Sequence, residues 1–464
     1  MAEFQQVFQS MHFASRSGPE ATYSERIDRL GRLEKLLSDN VEALCKAISA
    51  DFNWRSDTET KLLEILPLLR GIRHAKRHLA RWMKEERRKV DLAFQPSRAW
   101  VRYEALGVVG IIAPWNYPLA LAIAPLTDAL AAGNRVMVKP SEQTPSFSDQ
   151  LAKLISKNFA ADEVSVVLGD VSIAQDFARL PFDHLLFTGS TEVGRSIMRA
   201  ASDNLTPVTL ELGGKSPAIV CEDFSIDAAA RSIGFGKFIN AGQTCIAPDY
   251  ALVPRQGVDQ FVDAVMNHVA QAYPNPAANR DYTSIISERH LVRLRNAVQE
   301  AEAAGARVFQ YAGETPDRVM LYPKLVVDPP RDGLLMQEEI FGPVLPVVPY
   351  DTVDEVIAFV NSKPRPLALY LFTDSEEMQS KIIGNCKSGG VTVNGTLLHY
   401  AMENLPFGGI GPSGMGAYHG RDGFRRFSHA RAVHKIGKIN MFEKLGPPWG
   451  LLLRLTLRIL GNIR

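Results

Sequence analysis

The sequence predicts an α/β protein with two open, parallel-sheet domains in succession. Between Val101 and Gly214, short apolar runs such as VVGIIA, HLLFTG and PVTLEL alternate with amphipathic helical stretches. Such alternation buries a parallel sheet between helices. A second series of the same kind, from SPAIVCE to GGVTVNG, follows Gly214, and 464 residues are enough for both cores.

Composition narrows the partners. A formal net charge of +1 makes no global basic field for nucleic acid and no acidic excess that would favour disorder. The four cysteines, Cys45, Cys221, Cys245 and Cys386, lie far apart without a CxxC or a Cys/His cluster. Neither a disulfide framework nor a metal centre is expected, and a reducing, cytoplasmic compartment is. The start, MAEFQQVFQSMHFASRSG, lacks the basic and continuous apolar regions of a secretory signal. The one apolar anomaly is WGLLLRLTLRILGNIR at the other end, which Arg454 and Arg458 interrupt. As a helix, about 15 residues span roughly 22 Å, short of the ~30 Å hydrocarbon core. The expectation is a terminal helix docked on its own chain or on a partner subunit, with contact to a membrane surface the alternative.

Ile27, Leu30, Leu33, Leu37, Val41, Leu44 and Ile48 recur every three or four residues and predict one long amphipathic helix. Leu66, Leu69, Ile72, Leu79 and Trp82 mark a second, with Pro67 at its start or at a kink, and the charged KEERRKVD beyond it reads as solvated surface. The first α/β series comprises VVGIIA ending at Pro114, a helix closed by Gly133, a strand, a helix near Ser146–Phe159, VSVVLG, HLLFTG, a helix opened by GSTEVG, and PVTLEL. The second comprises SPAIVCE, the helix Ile226–Asn240, DYALVP, the helices Val258–Tyr273 and Ser287–Gly305, LVV, VLPVVPY, Val353–Asn361, LALYLF, Ser375–Asn385 and GGVTVNG. The glycine-rich tail from Leu397 lacks periodicity and predicts a loop-rich segment wrapping over the rest or over a partner.

Chemistry concentrates in a few stretches. In FGKFINAGQTCIAPDY, Cys245 lies in a polar loop among turn-forming residues, whereas the other three cysteines sit in apolar periodic elements as small core residues. A nucleophilic thiol needs an electropositive or helix-end setting, since the unperturbed pKa is about 8.5. Glu211 ends a strand beside the double glycine of VTLELGGKSPAIV, where open α/β sheets place functional groups. Read alone, it serves equally as a surface charge or an ion-pair partner. Asn116, in the strand-end loop APWNYPL, can donate to an oxyanion together with the Cys245 N–H, or satisfy its own turn. GSTEVG follows a strand and opens a helix, so phosphate at that N-terminus is physically reasonable, although it is not GxGxxG. Lys139 and Glu142, just past another strand end, can hold two ribose hydroxyls, and the carboxylate favours NAD over a 2′-phosphate without excluding NADP.

Together APWNYPL, VKPSEQTP, FTGSTEVG, VTLELGGKSP, GQTCIAPDY, EEIFGPVLPV and LPFGGIGPSGMG, in this order, resemble the aldehyde dehydrogenase superfamily along essentially the whole chain. The resemblance is nearest to the class 3 branch and, within it, to the coniferyl aldehyde dehydrogenases. It implies a dinucleotide-binding domain (1–85 and 104–212), a catalytic domain (213–395), a β-rich oligomerisation arm with tail (86–103 and 396–440) and the terminal apolar helix (441–464). It further implies Cys245 as nucleophile, Glu211 as general base and Asn116 in the oxyanion hole. The implied NAD(P) site takes in Ile112, Trp115, Lys139, Glu142, Gly189, Ser190, Gly194, Leu212, Glu339 and Phe341.

The expected activity is NAD(P)-dependent, non-acylating oxidation of an aldehyde to its acid, by a homodimer. Tyr117, Phe238, Thr244, Ile246, Leu398, His399 and Phe407 are candidates for an apolar or aromatic aldehyde tunnel, though each alone reads equally as core. Such a tunnel suits an arylpropenal such as coniferyl aldehyde, with a medium- or long-chain fatty aldehyde as alternative. A non-enzymatic protein on the same fold is the alternative from a different class.

Overall fold

The computed structural model describes residues 3–91, 94–275, 279–311, 319–438, 440, 443 and 445–461. Three sheets organise them. The first is a six-stranded sheet built from β3 (Val108–Ile112), β4 (Arg135–Lys139), β5 (Val164–Val166), β6 (His184–Thr188), β7 (Val208–Glu211) and β15 (Gly414–Met415). Its order is β15-β7-β6-β3-β4-β5, parallel except for β15, which comes from the glycine-rich tail and pairs antiparallel with β7. The chain leaves β3 toward β4 and β5, then crosses back to β6 and β7. The order therefore reverses between β3 and β6, and an open α/β sheet offers a crevice beyond the carboxyl ends of such strands.

The second sheet contains β8 (Pro217–Val220), β9 (Tyr250–Pro254), β10 (Arg307–Gln310), β11 (Lys324–Val327), β12 (Val344–Tyr350), β13 (Ala368–Phe372) and β14 (Gly390–Val393). They stand in the order β10-β11-β12-β9-β8-β13-β14, with only β10 antiparallel. The central strands of both sheets are buried residue by residue, which is why they read as continuous apolar runs. The third sheet, β1-β2-β16, joins β1 (Glu86–Arg88) and β2 (Arg98–Ala105) to β16 (Ser428–Lys435) in full eight-residue register.

Several expectations need correction. The long helix expected over Ile27–Ile48 is two helices, Tyr23–Asp39 and Val41–Asp51. Asn40 parts them: its N–H donates to Leu37 O and its side-chain amide to Leu36 O, which satisfies the carbonyls of the ending helix. The charged stretch after Trp82 contributes β1, and the tail is more ordered than its composition suggests, since it supplies β15, the helix Gly420–Arg426 and β16. The N-terminal segment, read only as lacking a signal, forms the helix Glu3–Ser17, which buries Phe8 and Met11. Of the two dockings expected for the C-terminal helix Leu451–Leu460, the one on its own chain is not seen among the described residues, where Leu451 is 73% and Ile459 77% exposed. Among the described residues no helix is long and apolar enough to cross a membrane. Residues 92–93 of the arm and 462–464 of the terminal stretch lie outside the described residues.

Candidate active site

The crevice at the reversal of the first sheet is the origin of the site. β3 runs out into Pro114, Trp115 and Asn116, β6 into Gly189 and Ser190, and β7 ends at Glu211. Parallel pairing sets Glu211 beside Thr188, and the Gly189 N–H donates to Glu211 O at 3.0 Å. These ends and Leu212, Gly213, Cys245, His290, Arg293, Glu339 and Phe341 enclose a cavity of about 220 Å³. Ser190 caps the helix Thr191–Ser202 by accepting from the Val193 N–H.

Cys245 arrives from the second sheet's side. The helix Ile226–Phe238 ends in a short turn in which Asn240, Ala241 and Gly242 all take positive φ, at 49°, 49° and 72°. Two non-glycine residues in that region mark a strained turn held by its surroundings. Asn240 Nδ2 donates to the carbonyls of Asn116 and Gln243, and Gln243 Nε2 donates to Asn240 O and Ser284 O. At Gly242 a Cβ would lie 2.3 Å from Gly342 O, so glycine is required by space as well as by φ. This turn halts the helix before Cys245 and fixes the half-buried thiol.

A second cavity, of about 280 Å³, begins on the other side of that sulfur. Its wall is mostly aliphatic and aromatic, with Leu62, Leu66, Phe235, Ile246, Leu398 and Tyr400 prominent. Tyr117 and Thr244 contribute a mutual hydroxyl contact at 2.7 Å, and both line this cavity. Among the described residues, Cys245 alone lines both cavities.

The electrostatics are unusual for a nucleophile. Burial first, and then the carboxylates of Glu339 and Glu211, push the Cys245 thiol up to about 12, against the smaller pull of the Cys245 and Ile246 N–H groups. The electropositive setting expected from the sequence is therefore not supplied by neighbouring side chains. Burial likewise drives the Glu211 carboxyl well above its ordinary range, with Arg426 opposing, and raises Glu339 to about 8. Both Glu211 oxygens lack a hydrogen-bond partner among the described residues, as do Thr188 Oγ1 and His290 Nδ1. An unpaired buried carboxyl is held neutral or awaits a ligand or water. Alkylation of Cys245 by iodoacetamide in the cofactor-free protein should therefore climb about tenfold per pH unit over roughly pH 7 to 10 without a plateau.

Asn116 Nδ2 donates to Gln243 O at 3.1 Å, across from the cysteine loop. Its carbonyl accepts from Arg55 Nη1, a buried guanidinium 3.0 Å from Glu64 Oε1 and 4.9 Å over the Tyr117 ring. Glu64 Oε2 in turn accepts from the Leu119 and Ala120 N–H groups at the start of the helix Ala120–Ala131. Arg55 and Glu64 thus order the Asn116–Tyr117 loop, a task no motif announced.

The residues expected around a cofactor divide. Trp115, Gly189, Ser190, Leu212, Glu339 and Phe341 line the polar cavity, with the Phe341 ring edge-on to Trp115 at 5.3 Å. Lys139, Glu142, Ile112 and Gly194 stand outside that wall. Lys139 Nζ lies 3.6 Å from Glu142 Oε2 and donates to Pro140 O, Ile112 packs in the core, and Gly194 lets its helix approach Leu212, where a Cβ would come within 2.7 Å of Cδ2. His290 and Arg293, from the helix Glu288–Ala303, also belong to the lining, although no motif singles them out. Of the expected tunnel residues, Tyr117, Thr244, Ile246 and Leu398 line the apolar cavity. His399, Phe407 and Phe238 require correction. His399 is tied to Thr392 and stacks on Phe407 at 6.0 Å, Phe407 packs against Tyr400 and Tyr418, and Phe238 is core. Aromatic side chains close to the pocket in sequence were used to build its backing.

Residues 2–433 match the family model described as "Aldehyde dehydrogenase family". The chain belongs to the aldehyde dehydrogenase family. Among aldehyde dehydrogenases, it is 50% identical to the probable coniferyl aldehyde dehydrogenase of Pseudomonas aeruginosa over 432 residues, 93% of this chain and 90% of the relative. The substrate-bound state of Staphylococcus aureus AldH superposes with a TM-score of 0.94 at 36% identity, covering 99% of this chain and all of the other. The NAD+ complex of the Bacillus cereus aldehyde dehydrogenase gives 0.84 at 27% identity, covering 94% of this chain and 89% of the other. This aldehyde dehydrogenase therefore shares the two α/β domains and arm sheet of that fold.

Proposed function

We propose that this aldehyde dehydrogenase oxidises an apolar or aromatic aldehyde to its acid through a covalent adduct on Cys245. The observation carrying this reading is that Cys245 is the one described residue lining both an apolar chamber and a polar one. An aldehyde carbon in the first chamber and an electron acceptor in the second then meet at Sγ.

The polar chamber fits a nicotinamide dinucleotide. Its lining holds unpartnered polar atoms at Thr188, Glu211 and His290, it opens at the reversal of a parallel sheet, and it abuts a helix N-terminus. When bound, the nicotinamide accepts the hydride lost by the aldehyde carbon. Trp115, Phe341 and Glu339 would hold that end, Gly189 and Ser190 would take the diphosphate, and Ile112, Gly194 and Leu212 would form the apolar backing. Lys139 and Glu142 would take the adenosine ribose, and the carboxylate at that place supports NAD over NADP.

The Cys245 sulfur bonds the aldehyde carbon, its proton passing to the buried base Glu211, and the carbonyl oxygen becomes an oxyanion. Asn116 Nδ2 and the Cys245 N–H stabilise that charge. Loss of hydride converts the adduct to a thioester. Glu211 gives up that first proton to solvent and then takes one from water as it adds to the thioester carbon; the C–S bond breaks, the departing sulfur takes the proton back from Glu211, and the acid leaves. Removing one oxyanion donor costs ~10²–10³ in turnover, so Asn116→Ala should lower kcat by that factor with a smaller change in KM. Steady-state kinetics at saturating NAD checks it.

The aromatic reading rests on the name of the Pseudomonas aeruginosa relative together with the aromatic and leucine-rich lining of the chamber. A panel of arylpropenals and alkanals, run with both NAD and NADP, tests substrate class and cofactor at once. Catalysis confined to medium- or long-chain alkanals would replace coniferyl-type aldehydes by fatty ones. For assembly, the arm sheet and the open edge of β14 leave backbone groups that a second copy can pair, which supports a homodimer. The spread of the four free cysteines supports a cytoplasmic setting.

A further inference from the structure

The apolar chamber is not apolar throughout. Glu403 and Arg70 are its only charged lining residues among those described. The Glu403 carboxylate makes no hydrogen bond and no ion pair among the described residues, although it is half-buried and faces the backbone of the helix Leu66–Trp82. There a Cβ on Gly71 would lie 3.0 Å from Oε1. Burial raises its pKa to about 7, with Arg70 pulling the other way. Tyr400 lines the same wall, and its hydroxyl also has no hydrogen-bond partner among the described residues. Burial first, and then charge on Cys245 or Glu403, disfavours its ionisation.

Behind Tyr400 and Glu403 lies a smaller cavity of about 30 Å³, bounded by Thr127, Asp128 and His419. His419 Nδ1 is buried there without a partner. That volume admits a water. The wall therefore offers polar groups that the protein itself leaves unsatisfied, in a chamber lined mostly by hydrocarbon. Leaving a half-buried carboxylate without a partner is costly, and a bound hydroxyl removes the cost.

We propose that Glu403, beside Tyr400, is the specificity-determining residue of the chamber: its carboxylate accepts a hydrogen bond from a hydroxyl on the aromatic ring of the substrate. This rests on the reading above, that the chamber takes aryl aldehydes to Cys245. It goes further by selecting ring-hydroxylated arylpropenals over unhydroxylated ones and over alkanals, which leave the carboxylate unpaired.

The test compares kcat/KM for 4-hydroxycinnamaldehyde, 4-methoxycinnamaldehyde and cinnamaldehyde on wild-type enzyme and Glu403→Leu. The wild type should prefer the hydroxylated aldehyde, and the methoxy compound, which has no proton to donate, should lose that preference. Glu403→Leu should cut the ratio of hydroxylated to unhydroxylated kcat/KM by about 10- to 100-fold, the usual effect of deleting a hydrogen bond to a charged group. A ratio does not depend on the fraction of variant that folds, and the methoxy comparison needs no variant. Equal use of the hydroxy and methoxy compounds by the wild type, or a ratio within about twofold of wild type in Glu403→Leu, overturns the role of Glu403 alone. A wild type that turns over hexanal but none of the three arylpropenals overturns the aryl-aldehyde reading as well.

Discussion

Cys245→Ala should release no NADH at all, not even the first equivalent per active site, when mixed with NAD and aldehyde. Cys245 is the one described residue lining both chambers, so deleting its sulfur removes the adduct on which oxidation takes place. Removal of a covalent nucleophile elsewhere lowers turnover on the order of 10⁶-fold. Stopped-flow absorbance over the first turnover separates this outcome from slow product release. Intact-mass measurement of wild-type enzyme quenched during turnover should show an acyl adduct, and peptide mapping should place it on Cys245. Normal oxidation by the alanine variant would overturn the covalent route.

Glu211→Gln should behave differently. Hydride loss proceeds once the thiohemiacetal has formed, so the variant should yield up to one equivalent of NADH per site and then stall as the thioester. Loss of a general base costs about 10²–10⁴ in the step it serves. Because Glu211 also receives the thiol proton in this scheme, the first equivalent should appear more slowly than in wild type, and faster as pH rises. The sign follows from the buried thiol, whose ionised fraction grows with pH up to its raised pKa of about 12. Steady-state turnover at the wild-type rate would remove Glu211 from the base role.

Much of this was legible in the sequence because the central strands of both sheets are parallel and covered on each face. VVGIIA, HLLFTG and LALYLF carry no alternation to misread, and their neighbours are long and amphipathic. The site residues at strand ends were legible for the same reason, since Glu211, Asn116 and Ser190 follow directly from where an apolar run stops. What escaped were features set by distant pairing. β15 has two residues and exists only because Gly414 meets Glu211, and β16 reads as an unremarkable polar stretch until β2 is beside it. His290 and Arg293 sit at the start of an ordinary helix, and only tertiary packing aims them into the crevice. His399 and Phe407 erred in the opposite sense, being aromatic and close in sequence to the chamber wall while spending their rings on one another. The single helix expected across Asn40 failed because one side-chain amide can end a helix without disturbing the apolar spacing on either side.

The late arrival of β15 and β16 has a consequence for how this enzyme is made. The strand flanking Glu211 and the strand completing the arm both come from residues beyond 413, pairing with partners some 200 and 330 positions earlier. A ribosome must therefore have translated as far as Met415 before the first pairing is available, and as far as Lys435 before the second is complete. The emerging polypeptide meanwhile carries an unfinished sheet edge, open to chaperones and to proteases. Competence for turnover is accordingly acquired only once the residues of β15 and β16 have emerged.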